Sequence, residues 1–318
     1  MLSEYSLLQL AQVLNEDHNA HMTSMPSKPN TLNALGLISR LRRAPEEHKG
    51  HAGKVILVGG SAGMAGALLL AGNACLYLGA GWTILEMLDS ASAHADHEQP
   101  ELMIRLANTN PSESLKQHLP DVLAIGPGLG TSHFASEWLK ACLEFENIPL
   151  VIDADALNLI ADSSELLSAL QLRNQHYPGQ TVLTPHPGEA ARLLSQPTSD
   201  IQADRMSAAK KIVSLTQSIV ILKGQHTLIA APNRDILQCE QGNPGMGTGG
   251  MGDVLTGSIS AIAAQGVRHH LNLWEASCVA VQLHASAADS LVQKGTGPIG
   301  LTPSETILEM RALLNNLL

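Results

Sequence analysis

The chain reads as an α/β protein built on a mostly parallel central sheet with helices on both sides. Three observations predict this. Short, continuous runs of β-branched and other apolar residues recur along the sequence, as strands buried on both faces require. Helix-length stretches separate the runs, as crossover connections require. Nearly every run empties into Gly, Pro, Asp, His or Lys, the composition of a ligand crevice outside the carboxyl ends of an open sheet.

The elements follow in order. Residues 5–14 are expected as a short helix, 18–30 as a polar connection with two prolines, and 31–43 as a second helix ending in Arg40, Arg42 and Arg43. Residues 1–47 are therefore taken as a partly helical N-terminal extension, an appendage or an oligomer contact. The main domain is expected over 48–318. Val55-Ile56-Leu57-Val58 is a strand that turns through Gly59-Gly60-Ser61 into a helix over about 64–79. Strands are also expected at 82–87, at 122–125 before Gly126-Pro127-Gly128-Leu129-Gly130, and at 150–152 before Asp153-Ala154-Asp155. Two more are expected at 181–183 before Thr184-Pro185-His186-Pro187-Gly188-Glu189, and at 219–222 before Lys223-Gly224. The stretch 254–264 reads as a buried helix of small residues.

Composition narrows the function classes. The 318 residues suit one large α/β domain or two small ones, and 44% apolar residues suffice for a core that 3% aromatics leaves to Leu, Ile, Val, Ala and Met. A formal charge of −10 argues against a nucleic-acid partner. The four cysteines are widely spaced with no CxxC pair, as in a reducing compartment. The start of the chain lacks a basic n-region and a long apolar run, so neither a secretory signal nor a membrane span is expected. A cytoplasmic protein fits these features.

The most informative segment is 242–253, in which six of twelve residues are glycine. A loop this rich in glycine brings backbone N–H groups against an anion, and the helix that follows adds its positive dipole end. Asp253 stands where a carboxylate can take up a proton. Gly250, Met251 and Gly252 supply N–H groups beside it. Anion hole and base at one helix start equip a site for phosphoryl transfer to an alcohol. A flexible loop with a capping Asp is the plainer alternative. The match of 247–252 to G-x-G-x-x-G is weak, because no apolar strand directly precedes it.

Each remaining strand end carries two readings. Gly59-Gly60-Ser61-Ala62-Gly63-Met64-Ala65-Gly66-Ala67 serves either tight helix–strand packing or substrate contact. The glycines at 126, 128 and 130 make either a plain turn or a close backbone approach to a ligand. Asp153 and Asp155 either hold a polar ligand or magnesium-bound water, or cap the following helix. His186 reads as a substrate contact and Glu189 as an outer-shell organiser of magnesium through water, with helix capping the alternative for Glu189. Lys223 at a strand end meets a phosphate as a point charge or sits in a solvated turn.

Taken in order, HKG at 48–50, GGSAGMAGA at 59–67, GPGLG at 126–130, DADALN at 153–158, TPHPGE at 184–189, KG at 223–224 and GNPGMGTGGMGD at 242–253 resemble the ADP/ATP-dependent NAD(P)H-hydrate dehydratases of the ribokinase-like superfamily. The resemblance covers about residue 48 to the end, and the ordered set is far more specific than any one motif. It implies a three-layer α/β/α sandwich in a homo-oligomer, often a tetramer. It implies dehydration of hydrated NADH and NADPH, driven by ADP or ATP with Mg²⁺. Ala67, Gly128, Gly130, His186 and Asp253 would contact the hydrated dinucleotide. Lys223, Gly224, Gln225, His226, Thr227 and Gly252 would contact the adenine nucleotide. The first 47 residues are too short for the epimerase domain fused to some members, so a separate epimerase is implied for the other hydrate epimer. The competing readings are a ribokinase-like kinase of a small alcohol of the hydroxymethylpyrimidine or thiazole type, and a non-catalytic nucleotide-binding sensor. An NAD-dependent oxidoreductase is disfavoured by the failed fingerprint at the first strand.

Overall fold

The computed structural model describes residues 28–95 and 99–318. Ten strands form one sheet in the order β1-β10-β9-β8-β7-β6-β5-β2-β3-β4. Its central block is β2 (Lys54–Gly59), β3 (Trp82–Met87), β4 (Met103–Leu106), β5 (Val122–Ile125), β6 (Leu150–Ile152), β7 (Thr181–Leu183) and β8 (Ile219–Leu222), all mutually parallel. Five of the expected strands keep the expected bounds, and β2 gains a residue at each end. At the far edge β9 (Leu228–Ala230) runs antiparallel to β8, β10 (Leu237–Gln238) runs antiparallel to β9, and β1 (Asn30–Thr31) pairs parallel with β10.

Alternation along β2 explains why the runs are apolar throughout. Val55 and Leu57 point into one core, Ile56 and Val58 into the other. The first core is covered by α1 (Ala65–Tyr77), α10 (Met251–His269), α11 (Leu273–Gln293) and α12 (Pro303–Asn316). The second is covered by α4 (His133–Glu144), α5 (Ala154–Asp162), α6 (Ser164–His176), α7 (Pro187–Leu193) and α9 (Arg205–Thr216). This is the expected three-layer α/β/α sandwich. The short helices α2 (Ser90–Ala93), α3 (Pro111–His118) and α8 (Thr198–Ala203) complete the set. No helix among the described residues is long and apolar enough to cross a membrane.

The N-terminal expectation needs revision. The helix expected over 5–14 lies outside the described residues. The helix expected over 31–43 is replaced by β1 and a 3₁₀ helix at Leu35–Leu41. Remote partners take the backbone first: Asn30 N–H donates to Ile236 O, Leu32 N–H to Gln238 O, and Ala34 N–H to Gln282 Oε1 at 2.6 Å. Leu32, Ile38 and Leu41 are buried in the first core. The expected boundary near 48 therefore falls inside continuous packing, and residues 30–41 are part of the sandwich rather than an appendage.

Candidate active site

The glycine-rich segment is held in place before it reaches the helix. Asp289 on α11 accepts from Gly242 N–H at 2.8 Å and from Asn243 Nδ2 at 3.0 Å, and Asn243 Oδ1 accepts from Gly245 N–H at 3.0 Å. Gly250 then caps α10 with φ 96°, and a Cβ there would stand 2.5 Å from Leu70 Cδ1. The Met251 side chain is buried with Ala288, Leu291 and Leu301, so this residue offers only its backbone to the loop. Val254 N–H reaches Gly250 O at 3.0 Å, and Met251 N–H reaches Thr248 O at 3.4 Å. The N–H groups of Gly250, Gly252 and Asp253 donate to no protein acceptor among the described residues. Orphan donors and the positive end of a 19-residue helix thus converge beside Asp253, the acidic residue of its first turn.

Asp253 belongs to a charged cluster drawn from four segments. Lys223, just past β8, places Nζ 2.7 Å from Asp153 Oδ1 and 3.9 Å from Glu189 Oε2. Thr256 on α10 donates to Asp153 Oδ2 at 2.8 Å. Asp153 is 1% exposed and does not cap the helix after it, because both its oxygens are committed to these partners. Asp155 accepts from Gly130 N–H at 2.9 Å and so ties GPGLG to α5. Between the two aspartates Ala154 takes φ 50°, a conformation that costs free energy outside glycine.

This crowding moves proton affinities. Burial, and then the Asp153 charge, pushes the Asp253 carboxyl up to about 7, with Lys223 opposing. Burial pushes Glu189 up to about 7 against the pull of Lys223. For Lys223 burial acts downward, yet Asp153 and Glu189 outweigh it and hold the ammonium above its ordinary range.

His186 and Glu189 form a reciprocal cap on α7. His186 Nδ1 accepts from Gly188 N–H at 2.9 Å and Glu189 N–H at 3.3 Å, while Glu189 Oε2 accepts from His186 N–H at 2.7 Å. The capping reading of Glu189 is thus realised, and the same carboxylate also faces Lys223. Burial and then Lys223 lower the His186 proton affinity, consistent with a neutral ring accepting at Nδ1.

Gly59 and Gly128 belong to one packed junction. A Cβ at Gly59 would lie 2.0 Å from Pro127 O, and one at Gly128 would lie 3.3 Å from the Ala67 methyl. Ser61 N–H donates to Gly128 O at 2.7 Å. The packing reading of 59–67 is therefore visible: Ala67 packs on Gly128, and Gly130 N–H reaches Asp155.

Gln225, His226 and Thr227 sit on the hairpin turn that starts at Lys223 and leads into β9. Thr227 Oγ1 donates to Gly224 O at 3.0 Å, and His226 Nδ1 lies 3.4 Å from Glu240 Oε2 on the outer side. Arg205, at the start of α9, donates to Leu222 O at 3.0 Å, to Lys223 O at 3.2 Å and to Gln225 O. Sequence reasoning missed Arg205, and no local signal marks it. It also missed Thr256, although a spacing of three from Asp253 puts both on one helix face. A third omission is His284 on α11. It is buried, its Nε2 lacks a partner among the described residues, and burial with the nearby Lys223 charge pulls it down to about 4.

Comparison with known proteins adds to this geometry. A family model described as NAD(P)H-hydrate dehydratase matches residues 55–309. The ADP-dependent (S)-NAD(P)H-hydrate dehydratase of Neisseria meningitidis is 38% identical over 279 residues, which cover 86% of this chain and 89% of that protein. A bifunctional NAD(P)H-hydrate repair enzyme of Leishmania braziliensis is 36% identical over 290 residues, 86% of this chain and 51% of its own length. The chain thus spans about half the length of the bifunctional relatives it matches. The crystal structure of the ADP/ATP-dependent NAD(P)H-hydrate dehydratase from Bacillus subtilis, co-crystallized with ATP/Mg²⁺, superposes with a TM-score of 0.77 at 26% identity, covering 92% of this chain and 100% of that one.

Proposed function

The chain belongs to the NAD(P)H-hydrate dehydratase family, and from that membership we propose that it returns the S epimer of hydrated NADH and NADPH to the intact dinucleotides at the expense of ADP or ATP. The observation that carries the reading is Asp253, a carboxylate tuned toward neutrality beside unpaired helix N–H groups. A base with proton affinity near the working pH is suited to take a hydroxyl proton.

In this reading Asp253 accepts the proton of the ring hydroxyl as that oxygen attacks the terminal phosphorus of the nucleotide. The bond from that phosphorus to its bridging oxygen breaks, and the shortened nucleotide leaves. The free N–H groups of Gly250 and Gly252, joined by that of Met251 in place of its 3.4 Å bond to Thr248 O, meet the charge on the phosphoryl group in flight. Phosphate then departs from the ring carbon with the push of the ring-nitrogen lone pair, and the neighbouring carbon loses a proton. Ala67, Gly128, Gly130 and His186 face the hydrated dinucleotide, and residues 223–227 with Gly252 face the adenine nucleotide.

The residues present fit magnesium only at one remove. Both oxygens of Asp153 are taken, and Glu189 is engaged by the α7 cap and Lys223. The nucleotide phosphates would supply the direct ligands, with Glu189 acting through water, and the ion would supply screening of phosphate charge. A homo-oligomer, a cytoplasmic location and a separate epimerase for the other hydrate epimer complete the proposal. The epimerase is suggested by the bifunctional names and double length of several relatives.

The test is incubation with hydrated NADH plus ADP or ATP, following dihydronicotinamide absorbance and inorganic phosphate together. Equal recovery of both is expected. A stable phosphate ester without recovered absorbance would identify a kinase of an alcohol instead. No nucleotide consumption would identify a sensor.

A further inference from the structure

We propose that Arg192 recognises phosphate on the dinucleotide side of the crevice: its guanidinium, held by Asn158, meets a phosphate oxyanion of the hydrated dinucleotide. The inference deepens the proposed function and rests on that reading for where the dinucleotide lies.

The first observation is a chain of contacts that ends at the guanidinium. Gly130 N–H donates to Asp155 Oδ2 at 2.9 Å, Asn158 Nδ2 donates to Asp155 Oδ1 at 3.4 Å, and Arg192 Nη1 donates to Asn158 Oδ1 at 2.6 Å. Asp155 and Asn158 are three residues apart and share one face of α5. Arg192 lies in the last turn of α7, the helix that His186 caps, and long helical side chains lean back toward the helix N-terminus. The guanidinium is therefore joined by contacts to the GPGLG turn and carried by the helix that His186 opens. Gly130 and His186 are the residues that face the dinucleotide in the proposed reaction.

The second observation is what the guanidinium is paired with. Elsewhere in this protein a cation that joins two segments meets a carboxylate: Arg40 reaches Glu275 at 3.0 Å, and Lys294 reaches Glu309 at 2.6 Å. Arg192 is exposed, and its hydrogen-bond partner among the described residues is a neutral amide oxygen. The Asn158 amide stands between the guanidinium and the Asp155 carboxylate, its oxygen toward the donor and its nitrogen toward the acid. Asp155 is thereby kept for Gly130, and the arginine charge is not cancelled. With one corner anchored, the planar fork still has donors for a paired contact to a phosphate.

The charge balance of the crevice points the same way. Asp153, Asp155 and Glu189 surround Asp253 and make its wall unfavourable to an anionic ligand. Lys223 is engaged with Asp153 at 2.7 Å and opens the turn that faces the adenine nucleotide; Arg205 is engaged with carbonyls of that same turn. The dinucleotide brings phosphates of its own. On the side of Gly130 and His186, Arg192 offers them an uncommitted positive charge. Two groups make the same oxyanion contact: the pyrophosphate shared by both hydrates, and the 2′-phosphate present only in the NADPH form.

The experiment compares wild type, Arg192→Gln and Arg192→Lys in the full chain. Calorimetry gives the affinities for NADH and NADPH with ADP saturating, so that the adenylate end does not enter the nucleotide site. It also gives the affinity for ADP alone, and kinetics give KM and kcat for the two hydrates. Arg192→Gln is expected to weaken dinucleotide binding and raise KM by about tenfold or more, with kcat and ADP affinity changed less than about threefold. Arg192→Lys, which keeps the charge but not the fork, is expected to fall between. A loss confined to NADPH assigns the contact to the 2′-phosphate, an equal loss for both assigns it to the pyrophosphate, and either supports the inference. Changes below about threefold for both dinucleotides would overturn it. So would an equal loss of ADP affinity, which would mark a contact that only holds α5 and α7 together. If wild type binds the dinucleotides but turns over neither hydrate, the proposed reaction fails while the affinities still decide the role of Arg192. A wild type with neither dinucleotide affinity nor turnover overturns both.

Discussion

Asp253→Asn should abolish turnover and yet stabilise the fold at alkaline pH. Asn keeps the shape but takes up no proton near neutrality, so turnover of hydrated NADH should fall by about 10²- to 10⁴-fold. Stability moves the other way. The native carboxyl titrates at about 7 against 3.8 ordinarily. Between these values the folded state binds the extra proton, so wild-type stability declines as pH rises from about 4 through 7 and then levels off. The full shift corresponds to about 4 kcal/mol at 1.36 kcal/mol per unit, which contact with water at this partly exposed side chain reduces to roughly 2 kcal/mol. The variant escapes that cost, so it should exceed wild type by roughly 2 kcal/mol at pH 8.5 and match it at pH 4. Urea unfolding at the two pH values, beside steady-state turnover and ADP titration, reads all of this. Turnover close to wild type in a folded variant would remove the base from the mechanism, and a variant less stable than wild type at pH 8.5 would show that the carboxylate is not buried at a cost.

Two further outcomes follow from the packing around the site. Arg205→Lys should raise the KM for ADP about tenfold with kcat nearly unchanged, because an ammonium cannot hold the Leu222, Lys223 and Gln225 carbonyls that the guanidinium gathers; an unchanged KM would show that the turn keeps its shape without the arginine. Gly257→Ala should destabilise by about 3 kcal/mol or more, because its Cβ would fall 2.0 Å from Ala71 O where α10 crosses α1; denaturation at wild-type urea concentrations would show that the two helices separate freely.

Strands β2, β3 and β5 to β8 were legible because burial on both faces leaves little room for polar alternation, and β5, β6 and β8 read as uninterrupted apolar runs. Strands β1, β9 and β10 were not, since two or three residues carry too little pattern and are ordered by partners far away, and neither was β4, whose Met-Ile-Arg-Leu lies at the other edge with a charge inside the run. The helices at 273–293 and 303–316 did leave a signal that the reading did not use: Asn272 with Glu275, and Thr302 with Glu305, are reciprocal caps three residues apart. At the site, the strand-end motifs identified the crevice but not who pairs with whom. Asp153 had two readings from sequence, ligand holder or cap, and the structure gives it a third, because its partners Lys223 and Thr256 lie 70 and 103 residues away.

The same limit applies to the glycines, which look alike in the sequence and differ in what they do. Gly250 answers to its own positive φ and to Leu70, and Gly252 to Lys223. Gly249 answers to nothing in the protein: its backbone lies outside the left-handed region, and a Cβ there would find no atom within 4 Å. If this segment were only a turn, Gly249→Ala would be silent in every assay or slightly stabilising, because alanine narrows the unfolded ensemble by about 0.4–1 kcal/mol. If the loop instead lies against nucleotide phosphate, the methyl group intrudes only when nucleotide is bound. The expected result is therefore a split: unfolding free energy unchanged or raised, and ADP affinity reduced about tenfold or more. Calorimetric titration with ADP beside urea unfolding of the same preparation measures both. Retained ADP affinity with unchanged stability would show that the N–H groups near residue 249 do not approach the phosphates, and would confine the anion site to the helix start at Gly250–Asp253.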